Sequence, residues 1–390
     1  MRSSSIAAIA ALGTCMLLTA CGGDDTDASP TTERSTSLGA VSGIEQAGTY
    51  AWLGIPYAKP PVGALRWKAP AAPDAWTTKR DTKAFGNACI QNGRIYGPGS
   101  NNTYDATIGT TLNTPVGSED CLTLNIWRPA TQDVNLPVLF FVYGGSNISG
   151  YTADPVYNGA NLAKTANAVV VTANYRVGPF GFFNSAAINA GAANADEASG
   201  NFALLDLMQA LRFVKDNVSG FGGNAGNVTL MGQSAGAINT WALLASPRAA
   251  GLFHKAIPLS GGISLASNLP AGTIPTLNPA TTYTTQANNL LYQLYIADGL
   301  ATDVPSAQAY AATQSNTQIA TYLRGKPAGT VLTTLLQRGL SGSGPIPDGT
   351  VLPTDPIAAI TAGNYNKVPV LAGNTADEGK LFAPFLALLG

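Results

Sequence analysis

A chain of 390 residues is long enough to bury a large core within a single α/β domain. With 11% charged residues and a formal net charge of −1, it has no basic surface to neutralise phosphates or acidic lipid head groups, which argues against nucleic acid as a partner. One histidine and no Cys-x-x-Cys pair leave too few ligands for zinc, so neither a metal nor another cofactor is expected.

The chain begins with the pattern of an export signal: Arg2 is the positive end, Ile6 to Leu18 the apolar stretch, and small residues follow. That stretch is too short to span a bilayer. Its end, Leu18-Thr19-Ala20-Cys21-Gly22, resembles the lipobox of bacterial lipoproteins. The resemblance implies a signal over 1–20, lipidation of Cys21, and a protein anchored to the cell envelope on its outer-membrane or periplasmic side. Residues 21–37 are mostly Asp, Thr, Ser and Pro and cannot bury enough apolar surface to fold, so a flexible tether is expected there. The globular part should start near Leu38. With Cys15 leaving in the signal and Cys21 lipidated, Cys89 and Cys121 remain as a disulfide pair for an oxidising compartment.

Beyond the tether, β-branched runs alternate with amphipathic stretches, the pattern of a mainly parallel sheet covered by helices. Val138 to Val142 is continuously apolar and reads as a strand buried on both faces. The loop from Tyr143 to Tyr157, rich in Gly, Ser and Asn, then lies at a strand's carboxyl end, where open α/β sheets carry their sites. A further strand is expected over Ala168 to Ala173. From Asn201 to Asn217, Leu204, Met208, Leu211 and Val214 recur at helical spacing and predict one stripe facing the sheet. Val228 to Met231 is a short strand, and Ala237 to Ala245 has helical composition.

Between them stands Gly232-Gln233-Ser234-Ala235-Gly236, a Gly-x-Ser-x-Gly elbow. In such a turn glycines relieve crowding while the serine hydroxyl is held out above the sheet. The bare pattern is expected about 0.3 times by chance in a chain this rich in glycine, so the flanking strand and small-residue helix decide in favour of a nucleophile. Acyl transfer also needs backbone N–H donors for the oxyanion, and Tyr143-Gly144-Gly145-Ser146-Asn147 stands where such a loop belongs.

Farther on, Ser264 to Gly344 reads as an insertion with helical patches such as Ala287 to Ile296. Val368 to Gly373 looks like another buried strand, with Pro369 requiring an edge or strand-start position. Read alone, Asp377-Glu378 fits a solvated helix start and singles out neither carboxylate.

Several separated motifs are similar to those of the type B carboxylesterases, the family that also contains cholinesterases and bacterial para-nitrobenzyl esterases. They are Gly54-Ile55-Pro56-Tyr57-Ala58-Lys59-Pro60-Pro61-Val62-Gly63, Ser118-Glu119-Asp120-Cys121-Leu122 through Trp127, Asn174-Tyr175-Arg176-Val177-Gly178, Phe221-Gly222-Gly223, the elbow, and Asp377-Glu378-Gly379. The resemblance implies an α/β-hydrolase fold over 38–390, with a mostly parallel central sheet flanked by helices. It implies Ser234 as nucleophile, Glu378 as triad acid, and Gly145, Ser146 and Ala235 as oxyanion donors. Cys89 and Cys121 match the family's first disulfide loop, and Arg66 with Glu119 and Arg176 with Asp206 match structural ion pairs. A small-molecule ester is the implied substrate.

Four departures matter. Gln233 replaces a Glu, removing a charge that would stabilise a nearby imidazolium. Ser146 replaces a glycine in the oxyanion loop. The 89–121 loop has no tryptophan, although Tyr96 and Tyr104 remain, which disfavours choline esters. Lastly, the single histidine, His254, precedes Glu378, whereas the order in this fold is nucleophile, acid, histidine. His254 is therefore expected to be a partly buried structural residue at a strand start. The resemblance places the catalytic histidine beyond Gly390, and the apolar run Phe385 to Leu389 predicts an incomplete chain. A catalytically inactive surface-binding lipoprotein of the same fold is the rival class.

Overall fold

The computed structural model describes residues 32–381, apart from 96, 101, 103, 106, 108, 271, 272, 274 and 339–343. The signal, Cys21 and Tyr96 lie outside the described residues. The described chain opens with a hairpin of β1 (Glu33–Thr36) and β2 (Gly39–Ser42). Order thus begins inside the segment expected to be a tether over 21–37. The expectation weighed only apolar burial, whereas this hairpin is held by main-chain pairing, by Ser37 N–H on Asn217 Oδ1 (2.6 Å), and by Arg34 lying over the buried Trp52 ring at 4.9 Å.

A second hairpin joins β3 (Ile44–Gln46) to β4 (Thr49–Pro56) across Ala47-Gly48, both at positive φ, the two-residue turn whose twist suits paired strands. Short strands β5 (Arg80–Asp81), β6 (Gln91–Asn92) and β7 (Pro115–Val116) lie outside the main sheet. With β8 (Thr123–Pro129), β9 (Leu136–Val142), β10 (Val169–Ala173), β11 (Gly223–Gln233) and β12 (Lys255–Leu259), the main sheet runs β12-β11-β9-β10-β8-β4-β3.

Helix α1 (Ala160–Ala166) links β9 to β10. Single turns α2 (Gly178–Gly181), α3 (Ala186–Asn189) and α4 (Ala195–Ala198) lead to α5 (Phe202–Asn217), and α6 (Ala235–Ala245) links β11 to β12. These crossovers make β10, β9, β11 and β12 mutually parallel, while the remaining pairings of the main sheet are antiparallel. The sheet is mixed, and its parallel half carries the serine.

Burial departs from the sequence reading in three elements. β9 alternates buried Val138, Phe140 and Val142 with half-buried Leu139 and Phe141, so it is not sealed on both faces. α5 buries far more than one stripe: Leu205, Leu207, Ala210 and Phe213 are enclosed beside Leu204, Met208, Leu211 and Val214. Residues 368–373 bond alongside β12, with Ala256 N–H on Pro369 O and Leu371 N–H on Ala256 O, yet Val370 and Leu371 are 41% and 67% exposed. The expected buried strand is an exposed edge among the described residues, because apolar composition reports suitability for burial and not what packs over it.

The insertion is helical throughout much of its length, with α7 (Ala280–Ala297), α8 (Val304–Ala312), α9 (Asn316–Gly325) and α10 (Ala328–Gln337), followed by α11 (Pro356–Thr361). Leu290, Leu294, Leu323 and Val331 pack with Trp67, Phe180 and Phe183 in a second apolar cluster. No helix of the described residues is long and apolar enough to cross a membrane.

Candidate active site

Ser234 sits between β11 and α6 at φ 56°, ψ −121°, a conformation that costs a non-glycine residue about 1 kcal/mol or more. Its place is fixed from both sides: its N–H donates to Leu259 O (2.9 Å), and its carbonyl accepts from Ala237 and Ile238 N–H in the first turn of α6. The glycine spacing follows from this crossing. A Cβ on Gly232 would stand 2.2 Å from Gly236 O, and one on Gly236 would stand 2.1 Å from Val142 O. Gln233 is exposed beside the half-buried serine.

The loop from Tyr143 to Asn147 is brought to the elbow by register, since Val142 of β9 pairs with Gly232 of β11. A Cβ on Gly144 would lie 3.0 Å from that of Ser234, so loop and elbow are in direct contact. Gly145 (φ +109°) bends the chain so tightly that its carbonyl accepts from both Ile148 and Ser149 N–H. Ser146 and Asn147 follow, each at φ 57°. The serine that replaces a glycine here occupies the left-handed region, at a cost of about 1 kcal/mol, instead of remodelling the loop. Among the described residues, the N–H groups of Gly145, Ser146 and Ala235 donate to no protein acceptor. Beneath the loop, Tyr143 and Tyr175 stack at 4.5 Å, and the Tyr175 hydroxyl donates to Tyr143 O at 2.8 Å. Burial raises both phenols well above their ordinary pKa, which keeps them neutral donors.

Glu378 opens a short 3₁₀ turn (Glu378–Leu381) and accepts from Thr375 N–H at 2.8 Å. The Ser260 hydroxyl and that N–H hold its carboxyl below the usual range, so it is ionised at neutral pH. Ser260 was missed in the sequence. It directly follows β12 at φ 56°, next to the Leu259 carbonyl that receives Ser234 N–H, and its own N–H donates to Gly373 O at 2.8 Å. Its only signal was a Ser-Gly-Gly run closing a strand pattern. Ser260 thus connects the Glu378 segment to the elbow. An open cleft of about 340 Å³ beside Gly261 is lined by Trp241, Ile263, Ile360 and Ala372.

His254 is not part of this cluster. Its Nδ1 accepts Val228 N–H (3.2 Å) and its own N–H donates to Val228 O (2.8 Å), six residues before Ser234 along β11, or about 20 Å away. Burial, then Lys255 and Lys215, lower its pKa and favour the neutral ring that this bond requires.

Around the site, Cys89 and Cys121 are joined, as expected. Arg66 holds Glu119 through two bonds of 2.6 Å and also donates to Arg324 O and Lys326 O, so the ion pair ties the disulfide loop to the end of α9. Asp206, fully buried on α5, is paired with Arg176 at 2.7 and 2.8 Å. Tyr104 is 55% exposed at the disulfide loop. Among the described residues no group of three or more His, Cys, Asp or Glu is placed to hold a metal.

A parallel half-sheet, a strained serine at its carboxyl edge and a glycine loop packed on that serine define an α/β-hydrolase. The carboxylesterase family model matches residues 30–388, and the chain belongs to that family. It is 35% identical to para-nitrobenzyl esterase of Bacillus subtilis over 89% of this chain and 63% of that protein, and 37% identical to fumonisin B1 esterase of Sphingopyxis macrogoltabida over 90% and 57%. A carboxylesterase structure from Geobacillus stearothermophilus superposes with a TM-score of 0.72 at 33% identity, covering 92% of this chain and 65% of that one. The chain therefore spans between half and two thirds of the length of these relatives.

Proposed function

We propose that this protein hydrolyses small-molecule carboxylic esters through an acyl-enzyme on Ser234. The Ser234 hydroxyl attacks the ester carbonyl, the N–H groups of Gly145, Ser146 and Ala235 receive the oxyanion, and the alcohol leaves. Water then releases the acid by the same steps. Glu378 orients the imidazole that takes the serine proton. The observation that carries this reading is the packing of the oxyanion loop directly onto a serine held in a left-handed elbow.

His254, bonded to Val228 in the middle of β11, cannot be that imidazole. The 390 residues alone are thus expected to turn over esters about four to six orders of magnitude more slowly than a complete triad. Chemical rescue tests this. Added imidazole should raise hydrolysis of a para-nitrophenyl ester, and fluorophosphonate labelling of Ser234, above the level of Ser234→Ala. Equal rates for both proteins at every imidazole concentration would sink the esterase reading and favour a catalytically inactive binding protein.

Export and anchoring through Cys21 belong to the same proposal. Support comes from the lipobox pattern and from the Cys89–Cys121 disulfide, which suits an oxidising compartment. Cys21→Ser should move the protein from the membrane fraction to the soluble fraction, and an unchanged distribution would refute the anchor.

A further inference from the structure

We propose that Asn239 and Asn147 form an amide clamp that holds the oxyanion loop in its donor-presenting shape, making both positioning residues for the ester carbonyl. The inference rests on the esterase reading above. Asn239 stands on α6, five residues beyond Ser234, and is fully buried. Its Nδ2 donates to Oδ1 of Asn147 at 2.8 Å, and Asn147 is 1% exposed.

The loop is held at both ends, and the clamp secures the far one. At the far end, Asn147 also accepts Gly178 N–H on its main-chain carbonyl at 2.6 Å. At the near end, the Tyr175 hydroxyl donates to Tyr143 O at 2.8 Å. One residue of the nucleophile's own helix therefore braces the far end of the segment Tyr143 to Asn147, inside which Gly145 and Ser146 carry the proposed donors. That segment needs bracing, because Ser146 and Asn147 are consecutive non-glycine residues in the left-handed region.

Stability alone gives a poor account of Asn239. Its Oδ1 is buried with no protein donor among the described residues, so the amide is only partly satisfied. A leucine of similar volume would avoid burying that acceptor. A half-satisfied amide touching a strained loop is the pattern of a residue retained for the geometry it imposes.

The test uses the full chain and Asn239→Leu, with imidazole present. Fluorophosphonate labelling of Ser234 is expected to slow about 100-fold, the scale of an ångström-level misplacement of catalytic groups. The melting temperature should hold or rise. Backbone amide exchange in a peptide spanning Tyr143 to Ile148 should quicken at least 10-fold, and the ³¹P resonance of the residual adduct should move towards that of a free phosphonate ester. Asn239→Ser, smaller and still polar, should show the same signs if the leucine variant fails to fold.

Labelling and loop exchange both unchanged would overturn the clamp. So would a labelling loss matched by a lower melting temperature and faster exchange across the whole sheet, since that marks a core residue. If the parent chain is not labelled at all, the esterase reading fails, and loop exchange alone decides the clamp.

Discussion

The middle and the carboxyl end of β11 are built on opposite principles. In mid-strand, Val228 and His254 exchange two hydrogen bonds, with a neutral ring favoured by burial and two lysines. At its carboxyl end Ser234 is strained, the residues two before and two after it, Gly232 and Gly236, have no room for a Cβ, and among the described residues the N–H groups of Gly145, Ser146 and Ala235 donate to no protein atom. One strand thus separates groups that complete each other from groups held ready for something else. The single imidazole of the chain lies at the satisfied mid-strand position, away from the strained serine.

Mutations should separate the two regions. Gly236→Ala should be the most damaging, because its methyl meets a main-chain carbonyl that cannot swing aside. A loss of about 3 kcal/mol in urea denaturation, or failure to fold, is expected. Ser234→Gly should behave oppositely, gaining about 1 kcal/mol of stability while losing all labelling. If it were instead destabilised, the serine would not be strained.

In mid-strand, His254→Ala should cost about 1 kcal/mol at pH 8 through the orphaned Val228 N–H and leave Ser234 labelling untouched. The pH dependence has a definite sign. With a lowered folded pKa, the stability tied to the neutral ring is complete above the ordinary imidazole value and is lost as pH falls through it towards the folded value. The parent and His254→Ala curves should therefore converge in acid, and parallel curves would refute the assignment. Smallest of all, Glu378→Gln should leave the denaturation midpoint at pH 7 unmoved, since the carboxyl is solvated, while lowering imidazole-supported turnover.

Much of this was legible wherever local geometry dictates residue type. The elbow is readable because Gly232 and Gly236 each abut a backbone carbonyl that no side chain could clear, so spacing alone records the crossing of strand and helix. α5 and β10 were readable from periodicity and β-branching, although the sealing of α5 was not, because the packing around a helix does not appear in its own sequence. Long-range polar contacts left little trace. The support of Glu378 by Ser260, and of Asn147 by Asn239, joins segments far apart in the chain through residues that also fit ordinary turns and helices. The exposure of Val370 and Leu371 escaped for the same reason.

The Cys89–Cys121 bond encloses a long excursion that carries the exposed Tyr104. A protease cutting inside that excursion would leave two fragments that still migrate as one chain until a reductant is added. The two fragments would also hold each other, through the pairing of Gln91–Asn92 with Pro115–Val116 and through Glu119 on Arg66. Clipping there and unfolding are thus separate events, and an electrophoresis lane run without reductant would report neither.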